Sequence, residues 1–206
     1  MSDAPDAGAA KKKGGGKKKL IIILGAVALL GGGGAAAGFF AAGSMHKESG
    51  PAEDAFRPQL VLTGEKPEEV AKTWAAKAAE QHAPEREGKG VDLPRPANAS
   101  AYQATYFQIP APFTSNLADS DSFAQVSIAV STYYDQRVIE AVQAHELPIR
   151  SAILMMMAQE QELDLSTPQG KEKLQAKLLT VINDVLKEKT GYGGIDNVYF
   201  TNFVIQ

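Results

Sequence analysis

The sequence lacks cysteine altogether, and its 206 residues include only three histidines and one tryptophan. Without cysteine, disulfide frameworks, thiolate zinc sites and cysteine nucleophiles are excluded. His145 is the only histidine in the part of the chain that we expect to fold, and no glycine-flanked serine motif accompanies it. We therefore expect no enzyme, no cofactor and no bound metal, and we predict a protein that acts through its surfaces.

Charge is absent from residues 20–42, which directly follow a strongly basic N-terminus. Residues 1–19 hold six lysines against two aspartates, while the whole chain carries a net charge of −3. As a helix, the uncharged run would extend about 34 Å and cross a hydrocarbon core of about 30 Å. The lysines favour a cytoplasmic tail at residues 1–19, a single transmembrane helix at residues 20–42 and an exported C-terminus. We expect this tail to contact anionic membrane lipid, and we disfavour nucleic acid as its partner.

Small residues fill the second half of the apolar run and leave two questions open. Three alanines from Ala35 onwards would suit a signal peptidase, whereas the two phenylalanines that follow extend the run and favour an uncleaved span. Both alternatives export the remainder of the chain. Gly34 and Gly38 form a small-xxx-small pair, through which this helix could pack closely against another one.

Proline and glycine are frequent over residues 43–101, where the sequence predicts an exported linker. Residues 65–82 within it have helical composition, with Pro67 tolerated in the first turn. The sole tryptophan, Trp74, lies on the apolar face of this short helix. It either packs the helix onto the following domain or anchors a partner.

Branched and aromatic residues become dense from residue 102, so we expect a compact domain over residues 102–206. Strict alternation predicts a half-buried strand over 123–134, and short apolar stretches predict strands over 105–109 and 113–117. The segment 197–206 carries apolar residues on both faces. This pattern is typical of an interior strand that is buried on both sides.

Between these strands, apolar residues recur at helical spacing, which predicts helices. Asp135 is expected to cap a first helix, and Pro148 either kinks that helix or opens a second one at its first position. Thr167 and Pro168 are expected to begin the last helix, which ends before Gly191. Strands, helices and a final strand in this order indicate an α+β domain.

Carboxylates and methionines on the predicted helices have ordinary structural interpretations. Glu146, Glu160 and Glu162 resemble a solvated helical face. The run from Met155 to Met157 is expected to fill the core, with one methionine exposed and available for contact.

Four segments of the predicted domain resemble one protein family. They read PFTSNLAD at 112–119, IRSAILMMM at 149–157, LSTPQGKEKLQAKLLTVINDVL at 165–186 and VYFTNFVIQ at 198–206. Together they are similar to the FliL family of flagellar basal-body proteins, in order and in spacing. The resemblance covers about half of the chain, and the basic tail, single span and exported domain agree with the layout of that family.

The resemblance implies a bacterial inner-membrane protein with a cytoplasmic N-terminus, a periplasmic linker over 43–101 and a periplasmic FliL-like domain over 102–206. It implies a domain fold similar to that of stomatin, prohibitin and flotillin, the SPFH fold, and self-association into a ring. It also implies association with the flagellar stator, MotA/MotB, and with the basal body. The implied role is support of flagellar rotation and of swimming or swarming motility.

Two other interpretations stay open at this point. One is a stomatin-like membrane scaffold that oligomerises around a non-flagellar membrane protein. The other is a cleaved periplasmic binding protein that holds a small ligand in the crevice between helices and sheet.

Six positions lie within the family-like segments, and we assign none of them to catalysis or to ligand binding. We interpret most of them as structural, with Asn116 bonding turn backbone, Arg150 and Asn183 bonding across packed elements, and Phe200 in the core. The six positions are Asn116, Arg150, Gly170, Asn183, Phe200 and Gln206.

Overall fold

The structure, a computed structural model, describes residues 54–81, 90–118 and 120–206. The predicted basic tail and the predicted transmembrane helix with Gly34 and Gly38 lie outside these residues. Within the described ranges, no helix is both long enough and apolar enough to cross a bilayer.

The described residues form five α-helices and six β-strands, which confirms the α+β class. The helices are α1 (Pro67–Ala79), α2 (Gln136–Ala144), α3 (Glu146–Met157), α4 (Glu162–Leu165) and α5 (Pro168–Thr190). The strands are β1 (Val91–Asp92), β2 (Thr105–Gln108), β3 (Phe113–Asn116), β4 (Phe123–Thr132), β5 (Tyr192–Gly193) and β6 (Asn197–Ile205).

Strand β4 is the centre of the main sheet, and all its pairings are antiparallel. On one side, β2 pairs with residues 129–132 and β3 with residues 123–126; on the other side lies β6. The predicted alternation is confirmed, since every second residue on one side of β4 is buried, namely Ala124, Val126, Ile128 and Val130.

Strand β6 was predicted to be an interior strand, and this is wrong. Within the described residues it pairs only with β4 and forms an edge of the sheet. The apolar residues on the two faces of β6 have different surroundings. Val198 is buried against the helices and Phe200 contacts Phe203 edge to face at 5.2 Å, whereas Tyr199 points outward to Tyr106.

Helices α3 and α5 supply most of the helical half of the core. The buried residues recur at helical spacing, and burying each such side chain fully contributes about 1.5–3 kcal/mol. They are Ile149, Ile153 and Met157 on α3, and Leu174, Leu178, Ile182 and Leu186 on α5.

The predicted helix boundaries are largely confirmed. The Asp135 side chain caps α2 by accepting from the backbone N–H of Arg137, and Thr167 caps α5 by accepting from Gly170 N–H at 3.0 Å. Gly191 follows α5 with φ of 85°, a left-handed conformation that glycine adopts without strain.

Two predictions about α3 and its surroundings need correction. The chain breaks between α2 and α3 at His145, and Pro148 is the third residue of α3, so it neither kinks α2 nor opens α3 at its first position. Glu160 is not part of a solvated face. It is only 7% exposed, because its carboxylate lies 2.6 Å from Lys177 Nζ while its carbonyl accepts from Ala118 N–H.

The described part of the predicted linker packs against the domain. We call residues 54–63 the strap. Val61 N–H in the strap donates to Tyr133 at 3.0 Å, and its carbonyl accepts from Gln103 N–H at 2.8 Å. Further along, β1 pairs in parallel with β5, and the Tyr134 hydroxyl donates to Pro94 O at 2.6 Å. The folded unit therefore includes residues well before 102, in contrast to the predicted linker.

Helix α1 lies within the predicted helical segment 65–82 and packs against α2. Ala71 is its buried residue, and Trp74 is half-buried with Lys77 Nζ 4.0 Å from the centre of its ring. On the same helix Val70 and Ala78 are half-buried, while Ala75 is exposed.

Candidate functional site

The strap is held on the domain by hydrogen bonds to the side chains of Asp135 and Arg137, which also form an ion pair with each other. The Asp135 side chain is fully buried, and its Oδ2 accepts from Gln59 N–H at 2.7 Å and from Arg137 Nη2 at 2.7 Å. The same guanidinium donates to the carbonyl oxygens of Ala55 at 2.8 Å and of Arg57 at 2.7 Å. These contacts fix the point at which the chain enters the domain.

The sequence predicted Asp135 only as a helix cap. Its second role depends on backbone groups about 80 residues earlier in the chain, which local spacing does not reveal. The local signal was Arg137 itself, two residues after the aspartate, and this spacing does not indicate which distant backbone groups the guanidinium binds.

Helix α3 exposes two large apolar side chains on one side. Leu147 is 78% exposed and Met155 is 68% exposed. Their separation of eight residues places them about 12 Å apart along the same side of the helix. Met155 is thus the exposed methionine that the sequence led us to expect, since Met157 is buried and Met156 is half-buried.

The main sheet carries a second distinctive surface on the side that faces away from the core. None of the strands β2, β3, β4 and β6 contains a charged residue. We call the outward side of these strands the open face. Its outward positions include Tyr106, Gln108, Gln125, Ser127, Tyr199 and Asn202.

Arg150 joins α3 to the turn between β2 and β3. Its guanidinium donates to the carbonyl oxygens of Pro110 and Pro112, forms an ion pair with Glu146 at 3.2 Å, and lies 4.5 Å from the centre of the Phe113 ring. The structure thus places Arg150 across two packed elements, in a position suited to holding this turn.

Asn183 makes a matched pair of hydrogen bonds between α5 and the segment before β6. Its side-chain nitrogen donates to the Ile195 carbonyl at 2.9 Å, and its oxygen accepts from Ile195 N–H at 3.0 Å. Gly193 lies so close that an added Cβ would approach the Asn183 oxygen to 2.9 Å.

Replacing Asn183 by alanine is expected to lower the free energy of unfolding by about 1–3 kcal/mol, because two backbone groups of Ile195 lose their partner. Urea denaturation of the full-length protein in detergent would measure the change. Asn202→Ala, on the open face, is the control and is expected to change stability by less than about 0.5 kcal/mol. Equal effects of the two variants would contradict the prediction.

Asn116 and Gln206 come together at one end of the sheet, on either side of Phe123. Asn116 is exposed and pairs with Phe123 across β3 and β4, while Gln206 exchanges two backbone hydrogen bonds with the same residue. Gly170 and Phe200 lie elsewhere. Gly170 is buried in the first turn of α5, and Phe200 is half-buried on the core side of β6.

Residues 106–206 match the family described as flagellar basal body-associated protein FliL. The C-terminal domain of this chain belongs to the FliL family. A curated relative, the flagellar protein FliL of Aquifex aeolicus (strain VF5), is 38% identical over 102 residues. That match spans 48% of this chain and 60% of the relative.

The limits of the FliL match divide the folded unit. The strap, α1 and β1 precede the matched residues, whereas Asp135 and Arg137, which hold the strap, lie within them. The FliL domain of this chain therefore carries its own attachment for an N-terminal segment that lies outside the match.

Proposed function

We propose that this protein is a membrane-anchored, non-enzymatic accessory protein of the flagellar motor. It associates with the stator, MotA/MotB, and supports flagellar rotation, and thereby swimming or swarming. The observation that carries the proposal is the FliL match over residues 106–206, which include all of the main sheet except Thr105 and all helices after α1.

The proposed anchor is the helix at residues 20–42, with residues 1–19 in the cytoplasm and the FliL domain in the periplasm. The support for it is the run of 23 uncharged residues that follows six lysines. Gly34 and Gly38 would allow such helices to approach one another, and the lysines would bind anionic lipid of the inner membrane.

The proposed mechanism is a shift between two states of the stator. Copies of the domain, with a fold similar to the SPFH fold, form a ring around the stator and bind its open, wall-engaged state more tightly. A tenfold preference contributes about 1.4 kcal/mol to that state per independent contact. Several copies acting together would therefore give a large shift in population.

We assign the stator contact to the exposed side of α3. Leu147 and Met155 are among the most exposed large apolar side chains of the described residues, and a methionine adapts readily to the shape of a partner. Burying both side chains at an interface would contribute about 3 kcal/mol or more.

The proposal is tested by comparing an in-frame deletion of residues 102–206 with the double substitution Leu147→Glu and Met155→Glu in the source organism. In both strains we expect filaments to persist and swimming speed to fall, because the stator contact is lost while assembly continues. Filament number by microscopy and swimming speed in liquid are the measurements. Ala75→Glu, at an exposed position of α1, is the control and is expected to leave speed unchanged.

The other outcomes separate the alternatives. Loss of filaments in the deletion strain would replace the stator role by a role in assembly. Unchanged filaments and unchanged swimming would favour a scaffold around a non-flagellar membrane protein. Reduced swimming in the deletion strain alone would keep the motor role and reject the α3 contact.

A further inference from the structure

The open face points to a ligand of a particular chemistry, and we propose that it binds a neutral polysaccharide, such as an uncharged stretch of glycan strand in the cell wall. The biological part of this inference rests on the proposed export of the domain. The chemical part rests on three features of the face: it lacks charged residues, it carries two aromatic rings, and it presents side-chain amides.

Charge is the first argument. About 22% of the residues of the chain are charged, yet the four strands of the main sheet contain none. Anionic lipid headgroups, phosphates and charged peptides are held by opposite charges, which these strands do not offer. A ligand that complements this surface carries no charge itself.

Two tyrosines form an exposed aromatic ridge across the sheet. Tyr106 on β2 and Tyr199 on β6 are separated by β4, and their rings lean together over it with centroids 5.8 Å apart and planes tilted by 53°. Ala129 of β4 lies opposite Tyr199 and is small enough to allow this approach. Tyr106 is 64% exposed and Tyr199 is 37% exposed, so both rings can still receive a ligand.

The ridge offers both surfaces that a sugar ring requires. A sugar presents apolar C–H groups on its ring faces and hydroxyl groups around its edge, and a tyrosine presents an apolar ring with a polar hydroxyl. A phenol is protonated at neutral pH at its ordinary pKa, and the neighbouring Tyr199 side chain, the main cause, raises the pKa of Tyr106 further. Both hydroxyls can then donate and accept.

Amide and hydroxyl groups continue from the ridge along the sheet. Gln108 is held in place because its Nε2 donates to Ile128 O at 2.9 Å and to the Thr201 hydroxyl at 3.2 Å. Ser127 and Asn202 face each other across β4 and β6, and Gln125 lies two residues further along β4. From Ala129 to Gln125 the strand extends about 13 Å, which accommodates an extended chain.

A protein partner fits this face less well. Interfaces between stable subunits have an apolar core, and exposed apolar patches mark such sites. The outward positions of β2, β4 and β6 are mostly serines, amides and tyrosines, and Val204, opposite Gln125, is the one branched aliphatic side chain among them. Sheet faces of other small β folds bind oligosaccharides in a comparable way.

The test uses the full-length protein in detergent and insoluble chitin, a neutral polymer of linked N-acetylglucosamine, in a co-sedimentation assay. We expect the protein to sediment with chitin, and the double variant Tyr106→Ala and Tyr199→Ala to lose at least about tenfold in affinity. Tyr106→Phe with Tyr199→Phe keeps the rings and should retain more binding than the alanine pair. Leu163→Ala, at an exposed position of α4, is the control for unchanged binding.

The overturning results are equally specific. Failure of the wild-type protein to bind chitin, equal binding by the alanine pair, or binding that falls steeply as salt rises would each reject the proposal. If the alanine pair changes the oligomeric mass measured by light scattering and leaves chitin binding unchanged, the face is a contact between copies. Thermal unfolding checks that the variants fold. A negative chitin result leaves the motility test unaffected, so the two proposals fail separately.

Discussion

Replacing Asp135 by alanine is expected to lower the free energy of unfolding by about 3–5 kcal/mol, the usual cost of removing one member of a buried ion pair. The Asp135 carboxylate is fully buried, and its removal leaves the Arg137 guanidinium without its counter-ion. Gln59 N–H loses its acceptor at the same time. The strap should therefore separate from the domain before the core unfolds.

Two measurements check this prediction. Urea denaturation reports the loss of stability, and hydrogen exchange at the amides of Gln59 and Val61 reports separation of the strap. Lys66→Ala is the matched control, because Lys66 and Glu69 form an exposed ion pair that contributes at most about 1 kcal/mol. Unchanged protection of the two strap amides in Asp135→Ala would contradict the assignment of Asp135 as the anchor.

Replacing Gly170 by alanine is expected to cost about 3 kcal/mol or more, at the upper end of the range for overpacking. A Cβ at this position would lie 1.8 Å from the Asp164 carbonyl oxygen and 2.5 Å from its carbon. Both atoms belong to the backbone, so no side chain can rotate to relieve the clash. Helix α4 and the first turn of α5 would have to move apart.

A second glycine provides the comparison. Gly64 has φ of 97° and no atom within 4 Å of its would-be Cβ, so Gly64→Ala carries only the cost of a left-handed conformation, about 1–2 kcal/mol. Thermal or urea unfolding of both variants separates the two causes. If Gly170→Ala is no more costly than Gly64→Ala, α4 and α5 do not approach as closely as the structure shows.

Local patterns predicted the parts of the fold that depend on neighbouring residues. The alternation in β4, the caps at Asp135 and Thr167, and the helix end at Gly191 are all set within a few residues, and all are confirmed. The apolar pattern of β6 predicted a strand but not its position in the sheet. Its neighbours in the sheet depend on pairings with residues more than 60 positions away.

The candidate surfaces were less predictable than the fold. The buried state of Glu160 depends on Lys177 in another helix, and the tyrosine ridge depends on the order of three strands. Met155 could be anticipated only as one of three adjacent methionines, because a continuous apolar run has no helical phase. The strap was missed because the prolines and glycines of residues 43–101 suggested a linker, whereas the bonds of the strap are made by backbone groups that any residue supplies.

The fastening of the strap also has a mechanical consequence. Ala55, Arg57, Gln59 and Val61 each contribute a backbone group to a hydrogen bond with the domain, and all of these bonds lie side by side along the strap. A pull directed along the strap loads them together, so that no single bond carries the whole force. A domain held in this way transmits tension from its N-terminal side into α2 and into the residues that join β4 to α2.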